Sequence, residues 1–276
     1  MDYTKKSVKV VLSGLIAIIG LIHLIPFYVL VTTSLKEKGD FSSKWAFPID
    51  IEWSNFAEAW EQANLGTALM NSIIITFFAG LLLIVLGSMA AYPLARRQTK
   101  LNKFVFALII AIMVVPPLTA LVPLYKLVVD IGMMNTRTIA VLNNVASFSP
   151  LAIFLYTSFI RSTVPKELEE AARIDGASTM GIFFKIVFPL LKPITATVLI
   201  VTCVYIWNDF QFAIFFLQAD EVKTFTVTLQ GFFGENTNNL NLVGAASIIT
   251  MLPMTILFLF LQRFFIRGLA GGAVKG

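Results

Sequence analysis

Reactive side chains are scarce inside the apolar stretches of this sequence, and that scarcity narrows its chemistry. Asp209, in Trp207-Asn208-Asp209-Phe210, is the only acid that falls within an apolar span. Ionisable groups in hydrocarbon are costly and usually functional. Asn208, Gln211, Tyr205, Phe210 and Phe212 surround it. Sugars are held by aromatic faces together with amides and carboxylates, so the cluster suits a polar path. It suits equally an interhelical hydrogen-bond clamp on a bent helix, and both readings stay open. His23 is the single histidine and Cys203 the single cysteine, so neither a multi-histidine metal site nor a disulfide framework can form. No Gly is followed by Lys, which excludes a phosphate-binding P-loop, and neither H-E-x-x-H nor G-x-S-x-G occurs. An intramembrane enzyme needs several reactive groups brought together. One acid, one distant histidine and one unaccompanied thiol do not supply them. Any ATP hydrolysis linked to this chain occurs on another polypeptide.

The elements that carry these residues are apolar spans. The sequence is 57% hydrophobic and 13% charged, against roughly 25% charged in soluble domains. Mean hydropathy is +0.82, and the apolar runs are continuous rather than alternating, which predicts membrane helices and not a barrel. Six spans are expected: Val10–Thr33, Met70–Tyr92, Phe104–Tyr125, Ile139–Ile160, Ile194–Leu217 and Leu242–Phe265. The first follows Lys5, Lys6 and Lys9; it is too long for a signal h-region and is read as an uncleaved span. His23 within it is expected to be packed or interfacial rather than a proton relay. The third contains Pro116, Pro117 and Pro123. Its freed carbonyls should be satisfied by neighbouring helices, predicting a bent helix buried in a bundle. The loop 34–69, with Trp45, Trp53 and Trp60, fits an outer surface lying partly at the interface.

Six spans place both ends on one side. The N-tail, the 93–103 loop, the 161–193 loop and the tail from Arg263 carry 15 of the 21 Lys and Arg residues. The positive-inside rule therefore predicts cytoplasmic termini and a cytoplasmic 161–193 loop. The net charge of +5 is distributed as topology requires and implies no nucleic-acid partner.

That loop has the features of a docking element. Pro165 suits the first turn of a helix, and Glu167, Glu169 and Glu170 follow at the positive end of its dipole. Glu169 and Arg173 are spaced as a surface pair. Ala172 and Gly176, with Ala177 beside them, form a smooth stripe suited to close packing.

Glu170-Ala171-Ala172, Gly176, Ile186 and Pro189 reproduce the spacing E-A-A-x3-G-x9-I-x-L-P, with Phe188 at the usual Leu. The segment resembles the EAA loop of the permeases of binding-protein-dependent ABC importers. The Trp-Asn-Asp-Phe cluster and the basic, glycine-rich tail from Gln262 resemble the carbohydrate-uptake branch, in particular its smaller maltose-type permeases. The likeness covers roughly residues 65–276.

The resemblance implies an all-α membrane protein of six transmembrane helices, with a cytoplasmic coupling helix between the fourth and fifth. It implies a division into residues 1–69, the first span and external loop, and 70–276, a five-span permease core. Glu170, Ala171, Ala172, Gly176, Ile186 and Pro189 would contact an ATPase. Trp207, Asn208, Asp209 and Phe210 would line a translocation path or gate. Thr237, Asn238 and Asn239, in the polar segment 218–241, would contact an external binding protein; by its residues alone that segment is an ordinary hydrophilic loop. The tail would reach the ATPases, though its basic residues also suit anionic lipid. The implied activity is ATP-coupled uptake of an oligosaccharide across a bacterial cytoplasmic membrane. The implied partners are a second, different permease, an ATPase homodimer carrying ATP and Mg, an extracytoplasmic sugar-binding protein and the lipid bilayer. This chain would be non-catalytic and hold no cofactor or metal. The alternatives are a proton-coupled secondary transporter using Asp209, and a permease of the same architecture for a solute other than a sugar.

Overall fold

The computed structural model describes residues 6–40, 42–235 and 239–273, with side chains described for 8–40, 42–231 and 239–264. Among them all regular structure is helical: α1 (Lys6–Ser34), α2 (Ser54–Gln62), α3 (Leu65–Arg96), α4 (Lys100–Ile112), α5 (Leu121–Asp130), α6 (Arg137–Thr163), α7 (Lys166–Ile174), α8 (Thr179–Ile182), α9 (Phe188–Leu190), α10 (Lys192–Trp207), α11 (Ala213–Phe216), α12 (Phe225–Glu235) and α13 (Leu240–Ala273). Four stretches are long and apolar enough to cross a membrane singly: Val8–Ser34, Leu65–Arg96, Arg137–Thr163 and Leu240–Phe264. Two more candidates are broken pairs, Lys100–Ile112 with Pro117–Asp130, bent by 92°, and Thr179–Leu190 with Lys192–Trp207, bent by 72°. The count is four, or up to six if each bent pair is one span.

The broken pairs correct two expectations. The third span is two helices, and its proline region is exposed rather than buried among neighbours within this chain. Of the carbonyls freed by Pro116 and Pro117, that of Ile112 takes a local donor. Met113, Val114 and Val115 donate to Ile110, Ala111 and Ile112 at 3.1 Å, tightening the last turn, and the Thr119 N–H and hydroxyl both reach the Pro116 carbonyl. The fifth span does not run to Leu217. α10 ends at Trp207, and Asp209 sits in the turn beyond it. Upstream, Phe183–Val187 forms one π-helical turn before Pro189, and the chain bends at Leu191.

The chain divides into two compact units. The first comprises residues up to Gly66 with Thr228–Leu252. Its core joins Ala59, Ala63 and Leu65 to Leu242, Ala245 and Ala246. Asn55 closes it on the polar side: its Nδ2 donates to the carbonyls of Ser34 at 2.9 Å and Lys36 at 2.8 Å, ending α1, and its Oδ1 accepts from Asn241 at 2.6 Å. Most of α1 is exposed; His23 there turns its Nδ1 to the Ile19 carbonyl, 2.8 Å away, as a solvated or lipid-facing side chain would.

The second unit comprises Thr67–Val227 and the chain from Pro253. α6 is its centre, with α4 and α10 packed on it. Its core includes Leu83, Ala152, Tyr156, Ile160, Phe183, Val187 and Leu191. Gly87 sets how closely α3 crosses α6: a Cβ there would lie 3.1 Å from that of Ala152. The residues predicted to act all lie in this unit except the 237–239 group.

Candidate functional site

The predicted EAA-like loop folds as a short helix and a turn. Pro165 takes the N-cap position with φ −63°. Glu167 and Glu169 occupy the first turn and Arg173 the last, the arrangement the helix dipole favours. The helix ends at Gly176, whose φ of +81° is a left-handed conformation. The Gly176 N–H donates to Arg173 at 3.1 Å and the Ala177 N–H to Ala172 at 2.9 Å, the paired bonds of a glycine-terminated helix. A Cβ at Gly176 would meet nothing within 4 Å, so conformation and not space requires glycine. Glu170 and Ala171 are exposed and Ala172 is half-buried. Further on, Ile186 is half-buried within the π-helical turn and Pro189 is exposed.

The deepest contact is made by a residue read as half of a surface pair. Glu169 is 5% exposed. Instead of pairing with Arg173 on the surface, its carboxylate takes Arg96 and Tyr92 from α3. Arg96 Nε and Nη2 each lie 2.7 Å from Oε1, and the Tyr92 hydroxyl donates to Oε2 at 2.8 Å. Arg96 also donates through Nη1 to the Ile160 carbonyl at 3.1 Å and through Nη2 to Val164 at 2.8 Å. Those acceptors lie at the C-terminal end of α6, where carbonyls lack intrahelical donors. Arg161 returns the contact, donating to Leu94 at 2.8 Å while its guanidinium lies 4.7 Å from the Phe106 ring. Asn102 of α4 donates to the Pro93 and Arg97 carbonyls at 3.1 and 2.9 Å, steadying the last turn of α3. A cleft of about 630 Å³ opens beside the pair, lined by Tyr92, Arg97, Lys166, Glu170 and Arg173 among others.

The sequence held a signal for this cluster. Tyr92 and Arg96 are four apart, on one face of a helix, at its end. Glu169 and Ala172 are three apart on the single buried face of α7.

At the other end of α10 the four residues of the predicted path part company. Trp207 is buried, its ring 5.0 Å from Phe225. Asn208 is exposed and caps its own helix, Nδ2 donating to Val204 at 2.8 Å. Phe210 is half-buried. Asp209 organises the turn: Oδ1 accepts from the Phe212 N–H at 3.1 Å, and its carbonyl accepts from the Thr226 hydroxyl at 2.7 Å. Cys203 is buried and lines an apolar groove with Phe77, Gly80, Leu199 and Trp207.

The segment following this turn is pinned by side chains that the sequence reading did not single out. Asn71 Nδ2 donates to the Glu221 and Lys223 carbonyls, each at 2.9 Å, and its Oδ1 accepts from Arg137 Nε at 2.7 Å. Asn135 Oδ1 accepts from the N–H groups of Gln218 at 2.7 Å and Ala219 at 3.0 Å. Of the predicted binding-protein contacts, Thr237 and Asn238 lie outside the described residues, as does Lys275 of the tail. Asn239 is half-buried.

Comparison with known proteins then places the chain. Residues 83–271 match the family described as "Binding-protein-dependent transport system inner membrane component". The sequence is 64% identical over 271 residues, covering 98% of each chain, to the "Melibiose/raffinose/stachyose import permease protein MelC" of Bacillus subtilis (strain 168). It is 34% identical over 230 residues to the "Arabinooligosaccharides transport system permease protein AraQ" of Halalkalibacterium halodurans, covering 83% of this chain and 81% of that one. The fold is similar to a chain in a solved structure of a bacterial ABC transporter that imports alginate, with a TM-score of 0.81 at 22% identity over 96% of this chain and 99% of that one. The chain therefore belongs to the family of inner membrane components of binding-protein-dependent transport systems, as a transmembrane permease subunit of an ABC importer.

Proposed function

We propose that this chain is one of two different permeases in an importer that carries an oligosaccharide across a bacterial cytoplasmic membrane. The observation that carries the coupling reading is α7: a short helix with one buried anchor, Glu169, and an outward face bearing Glu170, Ala171 and the Gly176 turn. A helix anchored on one side and smooth on the other suits docking against a partner. The partner is an ATPase homodimer that binds ATP and Mg; this chain performs no covalent step and holds no cofactor. Both termini and α7 face the cytoplasm, and six spans, counting each bent pair as one, cross the membrane. An extracytoplasmic binding protein delivers the sugar to the outward-open state. ATP-driven closure then moves α7 and shifts the equilibrium toward inward access.

Likeness to the melibiose, raffinose and stachyose permease selects the substrates to try first. All three are galactose-containing oligosaccharides. The Asp209 turn serves as a clamp at the end of α10, since its side-chain oxygen is engaged by the backbone.

The test is recovery and transport from native membrane. A C-terminally tagged chain, gently solubilised, is expected to bring an ATPase and a second permease, and cells are expected to lose raffinose uptake when it is deleted. Altering Glu170–Gly176 should release the ATPase while leaving the chain in the membrane. Recovery of the chain alone, with uptake that follows the proton gradient and ignores ATP, would overturn the proposal.

A further inference from the structure

Arg96 uses every part of its guanidinium fork, and each part reaches a different piece of the same corner. Nε and Nη2 hold Glu169 of α7, Nη1 holds Ile160 of α6, and Nη2 also holds Val164 just beyond α6. Tyr92, one turn back on α3, fixes the second carboxylate oxygen. The side chains of Arg96 and Glu169 are 11% and 7% exposed. Two guanidinium nitrogens converge on Oε1 while the Tyr92 hydroxyl holds Oε2, so both carboxylate oxygens are fixed, and exclusion of water strengthens each bond. The ends of α3, α6 and α7 are thus one rigid corner.

The forward connection of α7 differs. Asp175 and Gly176 are exposed, Gly176 has open space around it, and the chain then passes through the π-helical turn at Phe183–Val187 before the bend at Leu191. Ala172 and Ala177 pack against the core that holds Ile182, Phe183, Val187 and Leu191, so this connection is joined by apolar contact and not by an ion pair.

We propose that Arg96 is a positioning residue for transport: through Glu169 it carries displacement of α7 into α3 and α6, a polar route beside the apolar packing that joins α7 to the π-helical turn and α10. This rests on α7 being the ATPase-contacting helix. It adds the internal route by which that contact acts.

The test uses the whole importer in proteoliposomes with its ATPase and sugar-loaded binding protein. Three quantities are read: ATPase retained per permease, hydrolysis without binding protein, and sugar moved per ATP. Glu169→Gln keeps the side-chain shape and removes the charge. It is expected to retain the ATPase and basal hydrolysis while sugar moved per ATP falls at least about fivefold, within the range of coupling between sites. Arg96→Lys, which keeps charge without the fork, should behave alike, and Tyr92→Phe should show a smaller fall in the same ratio. A ratio within about twofold of the wild type for Glu169→Gln overturns the proposal and leaves the pair structural. Loss of the ATPase from membrane-inserted Glu169→Gln also overturns it, because the pair then shapes the docking face. If that variant does not accumulate, Tyr92→Phe decides: a reduced ratio supports the route and an unchanged one sinks it. Failure of the wild-type chain to retain any ATPase would instead remove the reading of α7 itself.

Discussion

The two ends of α3 are held in different ways. At Arg96 the partner is a buried carboxylate, and the contact is an ion pair. At Asn71, 25 residues earlier on the same helix and about 37 Å away at 1.5 Å per residue, the partners are the Glu221 and Lys223 carbonyls and the Arg137 guanidinium. A buried charge pair loses heavily when one member goes, because the other is left unpaired in low dielectric. Asn71 is buried but neutral, so its loss costs its own bonds and the desolvation of the groups it leaves, and strands no charge in the interior. The first end is therefore tied by a buried charge pair and the second chiefly by hydrogen bonds to backbone. That difference suits the proposed importer, in which an ATPase would act at one end and a binding protein at the other.

The comparison can be broken by substitution. Arg96→Met, which strands Glu169, should destabilise by about 3–5 kcal/mol, read as a fall in the thermal midpoint in detergent. A loss no greater than that of Asn71→Ala would erase the distinction. Asn71→Ala removes two carbonyl bonds and the acceptor of Arg137 Nε, and about 1–3 kcal/mol is expected, with faster proteolysis of the Gln218–Thr224 segment as the local readout. Gly176→Ala forces an L-residue into the left-handed region, at about 1–2 kcal/mol; the ATPase should dissociate more readily at unchanged membrane insertion. Asp209→Ala loses the turn-capping bond, near ~1 kcal/mol. Asp209→Asn keeps an acceptor oxygen and should leave both stability and uptake close to wild type; a large loss of uptake would give the carboxylate a role beyond the turn. The smallest effect belongs to Lys223→Ala. Its partner Asp220 is 84% exposed, and such pairs contribute ~0–1 kcal/mol.

Much of the fold was legible because its causes are local or compositional. The apolar runs at α1, α3, α6 and α13 read directly as spans, and Pro165 and Gly176 bracket α7 as predicted. The bend of the third span was legible from its prolines; its exposure within this chain was not. Pro116 and Pro117 announce a break, but whether the freed groups turn to neighbours or to the preceding turn depends on what lies alongside. The end of the fifth span was misread because Phe210, Phe212 and Phe215 keep the run apolar past the point where Asn208 caps the helix.

At the site, spacing identified the helix α7 and its glycine turn and hid their anchor. Glu169 and Glu170 are adjacent acids with the same propensity, about 100° apart around the helix axis. Which of them turns inward is set by how α7 is rolled against α3 and α6. Arg96, likewise, is one of four cations in a row that a topology rule counts as equal.

Hydrophobic runs, proline and glycine positions and charge asymmetry act through the chain's own backbone and its solvent, so residue order alone specifies the four long apolar helices, the proline break of the third candidate span, the helix α7 and the family. The pairing of Glu169 with Arg96 and Tyr92, and the pinning of the Gln218–Thr224 loop by Asn71 and Asn135, join residues some 70 to 150 positions apart. Contacts of that range depend on helix rotation and crossing, which follow from the packing of the whole unit around α6 and from no single segment within it.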